Sequence, residues 1–134
     1  MSGYSGTPLS KKLGIKSNHI VSTYQSPQDY TQSLLPLPEN VSIHQKLVKH
    51  ADVIHAFVHS MNELTHIYPK LVSCMHKSTS LWISWPKKAS KVETDLSRDI
   101  IRDFILAAGL VDVKIASYDD MYSSLKCVYR LKDR

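Results

Sequence analysis

The spacing of apolar residues along this chain changes several times, and each change predicts an element. Residues 53–58 (VIHAFV) and 81–85 (LWISW) are almost continuously apolar and uncharged. Such runs predict strands buried on both faces. Residues 19–24 (HIVSTY) predict a further strand, and 41–45 (VSIHQ) alternate as a short one. Past residue 60 the period becomes helical, with Leu64, Ile67, Tyr68, Leu71, Val72 and Met75 on one stripe. Ser60 and Glu63 form a capping box at its start. Pro69 lies inside the stripe and removes one backbone bond, so a kink or a break is expected there. Asp95 to Ala108 is the clearest helix. Leu96, Ile100, Ile101, Phe104, Ile105 and Ala108 fall on one face, Arg98, Asp99, Arg102 and Asp103 lie opposite, and Gly109 follows as the residue past its end. Val111–Tyr118 and Leu125–Leu131, split by Asp119–Ser123, predict an antiparallel hairpin.

The opening is punctuated by turn residues. In GYSGTPLSKKLG (residues 3–14), Thr7 can cap a helix, Pro8 suits its first position and Gly14 closes it. Ser26, Pro27 and Asp29 predict a second helix start, running to about Leu35 before Pro36 and Pro38. Strands alternating with helices predict a mainly parallel, helix-covered sheet. One connection is awkward: Lys46 to Asp52 is too short for a normal parallel crossover, which puts strand 41–45 antiparallel or at an edge.

Composition narrows the picture without naming a function. The 134 residues suit a single domain over 1–134, with 43% hydrophobic and 22% charged residues. Cys74 and Cys127 read as reduced, buried small side chains rather than a disulfide framework. No run approaches the roughly 20 apolar residues of a membrane span, and the opening lacks the apolar core of a secretory signal. A cytoplasmic protein with no membrane partner is expected. The net charge of +5 favours anionic partners.

The opening GYSGTPLSKKLGIK, with LWISWPKKAS, TDLSRDIIRD and AAGLVDVKI, resembles a family of small bacterial proteins classed as a domain of unknown function. That resemblance implies no activity. A second resemblance is architectural. Leu13-Gly14-Ile15-Lys16 before strand 19–24 is similar to the lead-in of methyltransferase-like Rossmann domains. Ala51-Asp52-Val53-Ile54 resembles their central strand, Leu81–Trp85 the strand after it, and Gly109–Leu131 their closing antiparallel pair. It implies an α/β, Rossmann-like, mainly parallel sheet with a C-terminal antiparallel hairpin and helices on both faces. In such domains a glycine-rich turn and an acid hold S-adenosylmethionine. Here the turn reads Tyr24-Gln25-Ser26-Pro27 and the second strand ends His44-Gln45-Lys46, so neither is present. No cofactor is expected, and the resemblance implies fold rather than activity.

Six of the seven histidines (His44, His50, His55, His59, His66 and His76) raise metal binding, but none stands in a ligand spacing and neither HExxH nor CxxC occurs. His55 and His59 share a face of one strand. Successive amides at Gly3–Thr7 could form an anion-binding nest, with Ser5 and Thr7 adding hydroxyls. The loop after strand 81–85 carries Lys87, Lys88 and Lys91, and open α/β sheets place ligands beyond the carboxyl ends of their parallel strands. With the Ser26 helix start opening on the same end, this predicts a rim for phosphate or carboxylate. Trp82 and Trp85 lie three apart and face opposite sides, Trp82 toward the core and Trp85 toward a ligand or partner surface. The leading expectation is a non-catalytic binding or interaction domain for a small anion or a protein partner. The alternative is an unrecognised enzyme acting on a phosphorylated or carboxylated small molecule. Nucleic-acid binding is the weakest reading, since charge alone supports it and no recognition motif accompanies it. Oligomeric state is left open.

Overall fold

The structure, a computed structural model, describes residues 7–134. Six strands form one sheet: β1 (Ile20–Tyr24), β2 (Ser42–His44), β3 (Ala51–Phe57), β4 (Met75–Pro86), β5 (Leu110–Ser117) and β6 (Tyr122–Tyr129). Their order is β2-β1-β3-β4-β6-β5. The first four run parallel, and β6 is antiparallel to both β4 and β5. The helices are α1 (Leu9–Lys12), α2 (Tyr30–Ser33), α3 (Met61–Ser73) and α4 (Arg98–Ala107).

Strand alternation sorts the core into two layers. Ile54, Ala56, Leu81, Ile83, Trp85, Leu125 and Cys127 meet Leu64 and Leu71 of α3 and Ile101 and Ile105 of α4 on one face. Val21, Val53, Phe57 and Trp82 meet Leu13, Ile15, Tyr30 and Leu34 on the other. Trp82 and Trp85 therefore do face opposite sides. The continuous apolar runs of β3 and β4 arise because both of their faces are covered.

The predicted helices are shorter than their patterns. α1 starts at Leu9, with Pro8 rather than Thr7 in the cap position. α2 is a single turn, not a helix from Ser26 to Leu35, and Ser26 does not cap it. Its hydroxyl instead lies 2.7 Å from that of Thr23. α4 begins at Arg98 because Ser97, not Asp95, caps it by accepting from the Ile100 amide. Asp95 is diverted to accept from the Met61 amide at 2.8 Å. Gly14 and Gly109 both hold positive φ, +75° and +103°, as their positions past helix ends require.

Strand β2 is parallel and at the edge, so the short 45–50 connection does make a parallel crossover. It can do so because β2 contributes only three residues and pairs with β1 rather than β3. Ser22 pins the crossing segment against the sheet. Its hydroxyl donates to the Lys46 carbonyl at 2.7 Å and accepts from the Val48 amide at 2.9 Å. Leu47 and Val48 then pack on the core where a helix would normally sit.

Helix α3 continues through Pro69, whose ring is exposed while Ile67, Tyr68 and Leu71 stay buried. The apolar stripe thus keeps its phase across the missing bond. Pro69→Ala should retain the fold and raise stability by about 1 kcal/mol, through a regained backbone bond. A loss of about 2 kcal/mol or more in urea unfolding would instead show that the packing requires the proline's geometry.

Candidate functional site

The carboxyl ends of β1, β3 and β4 make one rim of the sheet. The chain leaves β1 toward β2 on one side and returns to β3 on the other, so the β1–β3 junction is the topological switch point. A glutamine bridges this junction: Gln25, at φ +55°, donates from Nε2 to the Phe57 carbonyl at 3.1 Å. Beside it, Gln45 Nε2 donates to Ser26 Oγ at 3.1 Å and to the Pro27 carbonyl at 3.0 Å. The loops after β1 and β2 are thereby tied to each other and to β3.

Further along the rim, three side chains form a chain of contacts. His59 follows β3, and its Nε2 lies 2.8 Å from the Tyr122 hydroxyl at the start of β6. Its Nδ1 lies 3.3 Å from Glu63 Oε1, which also accepts from the His59 amide at 2.7 Å. The capping box at α3 is therefore modified. Ser60 accepts from the Glu63 amide as predicted, while the glutamate reaches back to His59 instead of Ser60. Burial raises the Tyr122 phenol, with Asp119 and Glu63 adding to the shift, so it stays protonated near neutral pH. The pattern that satisfies every partner has Tyr122 donating to Nε2 and Nδ1–H facing Glu63. The imidazole stays 42% exposed.

The loop after β4 encloses a cavity of about 500 Å³ on the α4 side of the rim. Lys88, Lys91 and Arg98 line it with Trp85, against the single carboxylate of Glu93. The amino end of α4, capped by Ser97, opens onto the same space. Thr94 connects this wall to the triad by donating to the His59 carbonyl at 2.7 Å.

The five predicted anion-site residues that are described do not converge. Lys88 and Lys91 share the cavity. Lys87 turns away and donates to Ser117 Oγ at 2.7 Å, while Lys88 opens the turn over 88–90 that faces the cavity. Ser26 serves the β1–β2 end of the rim. Thr7 precedes α1, whose segment packs on the opposite face, and Ser5 lies outside the described residues. Sequence reasoning missed Arg98, which read only as part of a solvated helix face. It also missed the joining of His59, Glu63 and Tyr122. The capping box immediately after a histidine was the available signal for the first two; Tyr122 is brought in by strand pairing alone.

His55 has a different role from His59. It is fully buried, with Nδ1 2.9 Å from the Tyr30 hydroxyl and Nε2 2.6 Å from Ser84 Oγ, and Ser84 contacts Ser124 in turn. Burial drops its pKa to about 3, so it is a neutral core group. Burial, aided by Asp112, pushes the Cys127 thiol up and makes it a poor nucleophile. Among the described residues no group of three or more His, Cys, Asp or Glu is arranged to hold a metal. No described helix is long and apolar enough to cross a membrane.

The architecture is a familiar one. Over 92% of this chain and 83% of the other, the structure is similar to that of DhpI in complex with SAH, at TM-score 0.64 and 9% identity. The fibrillarin pre-rRNA processing protein of Methanococcus jannaschii matches at TM-score 0.59 and 12% identity, over 96% and 71% of the two chains. LepI in complex with SAM matches at TM-score 0.55 and 13% identity over 92% of this chain, which spans only 47% of LepI's length. The fold is the methyltransferase-like Rossmann fold. No protein-family model matches the chain, and neither does any curated protein. The expected resemblance of the opening to a family of small bacterial proteins is therefore not shown by these comparisons.

The S-adenosylmethionine apparatus of that fold has no counterpart among the described residues. The turn after β1 carries no glycine, and its crevice is spanned by the Gln25 and Gln45 amides. Strand β2 ends at His44, where an acid would be needed for a ribose. The residues present do not fit the cofactor.

Proposed function

We propose that the chain is an enzyme acting on a small phosphorylated or carboxylated molecule, with His59 as its proton-transfer group. The reading rests above all on the Glu63–His59–Tyr122 contacts, which stand half-buried at the strand ends where this fold keeps its ligands. Lys88, Lys91 and Arg98 hold the anionic end of the substrate in the neighbouring cavity, and Trp85 covers its apolar part. Tyr122, which stays protonated, and Glu63 hold the imidazole by its two ring nitrogens and fix its orientation toward the cavity. Solved neighbours of this fold lend support. One is described as a pericyclic reaction enzyme and another as a magnesium protoporphyrin IX methyltransferase, so small-molecule chemistry is at home on it. The bare interaction domain suggested by composition fits this rim less well.

The test is to titrate pyrophosphate and AMP into protein labelled for histidine-ring and backbone NMR. Saturable shifts are expected at His59, Lys88 and Lys91, and Lys88→Ala with Lys91→Ala should weaken binding about tenfold or more. S-adenosylmethionine should produce no saturable shift. Shifts at the lysines without His59 would return the chain to a non-catalytic anion-binding domain. Shifts at none of the three would refute both.

A further inference from the structure

On the sheet face that carries Trp82, the N-terminal segment, α2 and Tyr118 cover the rim end of the hairpin, where Ala116 and Tyr122 pack against the core and Ser124 is buried. Farther along the hairpin this cover stops, leaving Lys114 exposed and Lys126 half-buried. Their register places Trp82, Lys126 and Lys114 in one row across three strands. Like charges directly opposite across a ladder destabilise a sheet, and ordinary sheets place opposite charges there. Lys114 extends back over Trp82, with Nζ 5.9 Å from the ring centroid. Lys16 approaches from the segment after α1. Burial first, then the charges of Lys114 and Lys16, lower the pKa of the Lys126 ammonium.

The positive row continues at both ends. Toward one corner, Lys12 of α1 reaches the Ser117 carbonyl at 3.5 Å. Toward the other, Lys77 and Arg134 join Lys126 around a groove of about 320 Å³ floored by Ser78, Ser80 and Val128. No Asp or Glu side chain lines that groove. None of these cations takes part in the ion pairs found among the described residues, which are His59–Glu63, His76–Asp52, Arg98–Asp99 and Arg102–Asp112. The eight-residue hairpin strands span about 25 Å, the rise of about seven base pairs of a duplex.

We infer that this open face binds the phosphate backbone of a nucleic-acid duplex, without reading its sequence, through the row formed by Lys12, Lys16, Lys114, Lys126, Lys77 and Arg134. The chemistry of the face selects this partner. Trp82 is fully buried, so the face offers no aromatic platform for the bases of a single strand. It lacks the desolvated aromatic centre of a protein interface. It also lacks the large apolar stripe that membrane docking needs. Lysine ammonium groups spread over a flat sheet are suited to a repeating line of phosphates. The concentration of charge on one face was invisible in the net charge, because the lysines come from four separate stretches of chain. The inference uses none of the residues assigned to the His59 site, so it does not depend on the proposed function.

Fluorescence anisotropy with labelled DNA and RNA duplexes of about 20 base pairs, at several salt concentrations, tests it. Binding should weaken steeply with salt. Lys114→Gln with Lys126→Gln should lower affinity about tenfold or more and reduce the slope of log affinity against log salt by about 2. Lys70→Gln, on the far face of α3, should bind as the unaltered protein does. Thermal melts should show the double variant folded and no less stable, since it relieves repulsion, and Lys16→Gln alone gives an intermediate check. An equal response to DNA and RNA supports backbone recognition. The inference is overturned if neither duplex gives saturable binding at low salt, if the double variant binds like the unaltered protein, or if phosphatidylserine vesicles bind and duplexes do not.

Discussion

Lowering the pH from about 7.5 to about 4.5 should cost the protein about 3 kcal/mol of stability through one residue, His55. The imidazole is fully buried between Tyr30 and Ser84, and burial brings its pKa from 6.5 to about 3. In the unfolded chain the ring takes a proton as pH falls below 6.5. In the folded chain it stays neutral until about 3. The unfolded state therefore binds more protons between those values, and stability falls as pH falls through that window. Each pH unit inside it is worth about 1.4 kcal/mol. Asp52 does not confuse the measurement. Burial pushes its carboxyl up, but the Ile20 amide and His76 overcome this and leave it below its ordinary 3.8, so its contribution is lost only at lower pH. Urea unfolding of the unaltered protein and of His55→Gln at both pH values measures the effect. The variant should be less stable at neutral pH yet lose about 3 kcal/mol less on acidification. Equal losses in the two proteins would show that His55 does not control the acid limb.

Replacing Trp82 by alanine should destabilise the fold by about 4 kcal/mol, with an intact structure only at low temperature. Trp82 is the largest of the fully buried side chains, and it sits where β4 meets the N-terminal segment. Its indole Nε1 donates to the Leu13 carbonyl at 3.1 Å, so it fastens α1 and Gly14 to the sheet. Alanine leaves a cavity and also removes the donor from a buried carbonyl. Trp82→Phe separates the two effects. It keeps most of the apolar volume and should cost about 1–2 kcal/mol, largely from the unpaired Leu13 carbonyl. Denaturant midpoints of the three proteins decide the matter. A phenylalanine variant as unstable as the alanine one would assign the loss to the hydrogen bond rather than to packing.

Patterns set by neighbours in the chain were legible from the residues alone. The uncharged runs at 53–58 and 81–85 marked strands buried on both faces, since a charge there would have nowhere to be hydrated. Ser60 and Gly109 placed the start of α3 and the end of α4, because a cap acts within one turn of its own helix. The opposite facing of Trp82 and Trp85 followed from the two-residue period of a strand. The absent glycine turn and acid followed in the same way, from local sequence read against a known fold.

Tertiary structure alone decided the rest. The short 45–50 crossover is allowed because Ser22, more than twenty residues earlier, bonds both Lys46 and Val48. Lys87 and Lys88 part company because Ser117 on a distant strand captures one of them. His59 meets Tyr122 across 63 residues of chain, through the pairing of β4 with β6. His55, four residues earlier and within β3, is kept neutral by burial and fastened in the core. The two histidines carry the same side chain, and their chemistry differs because solvent access and cross-sheet partners are properties of the packed sheet. Periodicity and capping are short-range and can be read along the chain; burial, pKa and the gathering of lysines on one face are sums over residues far apart in sequence, which exist only once the sheet has assembled.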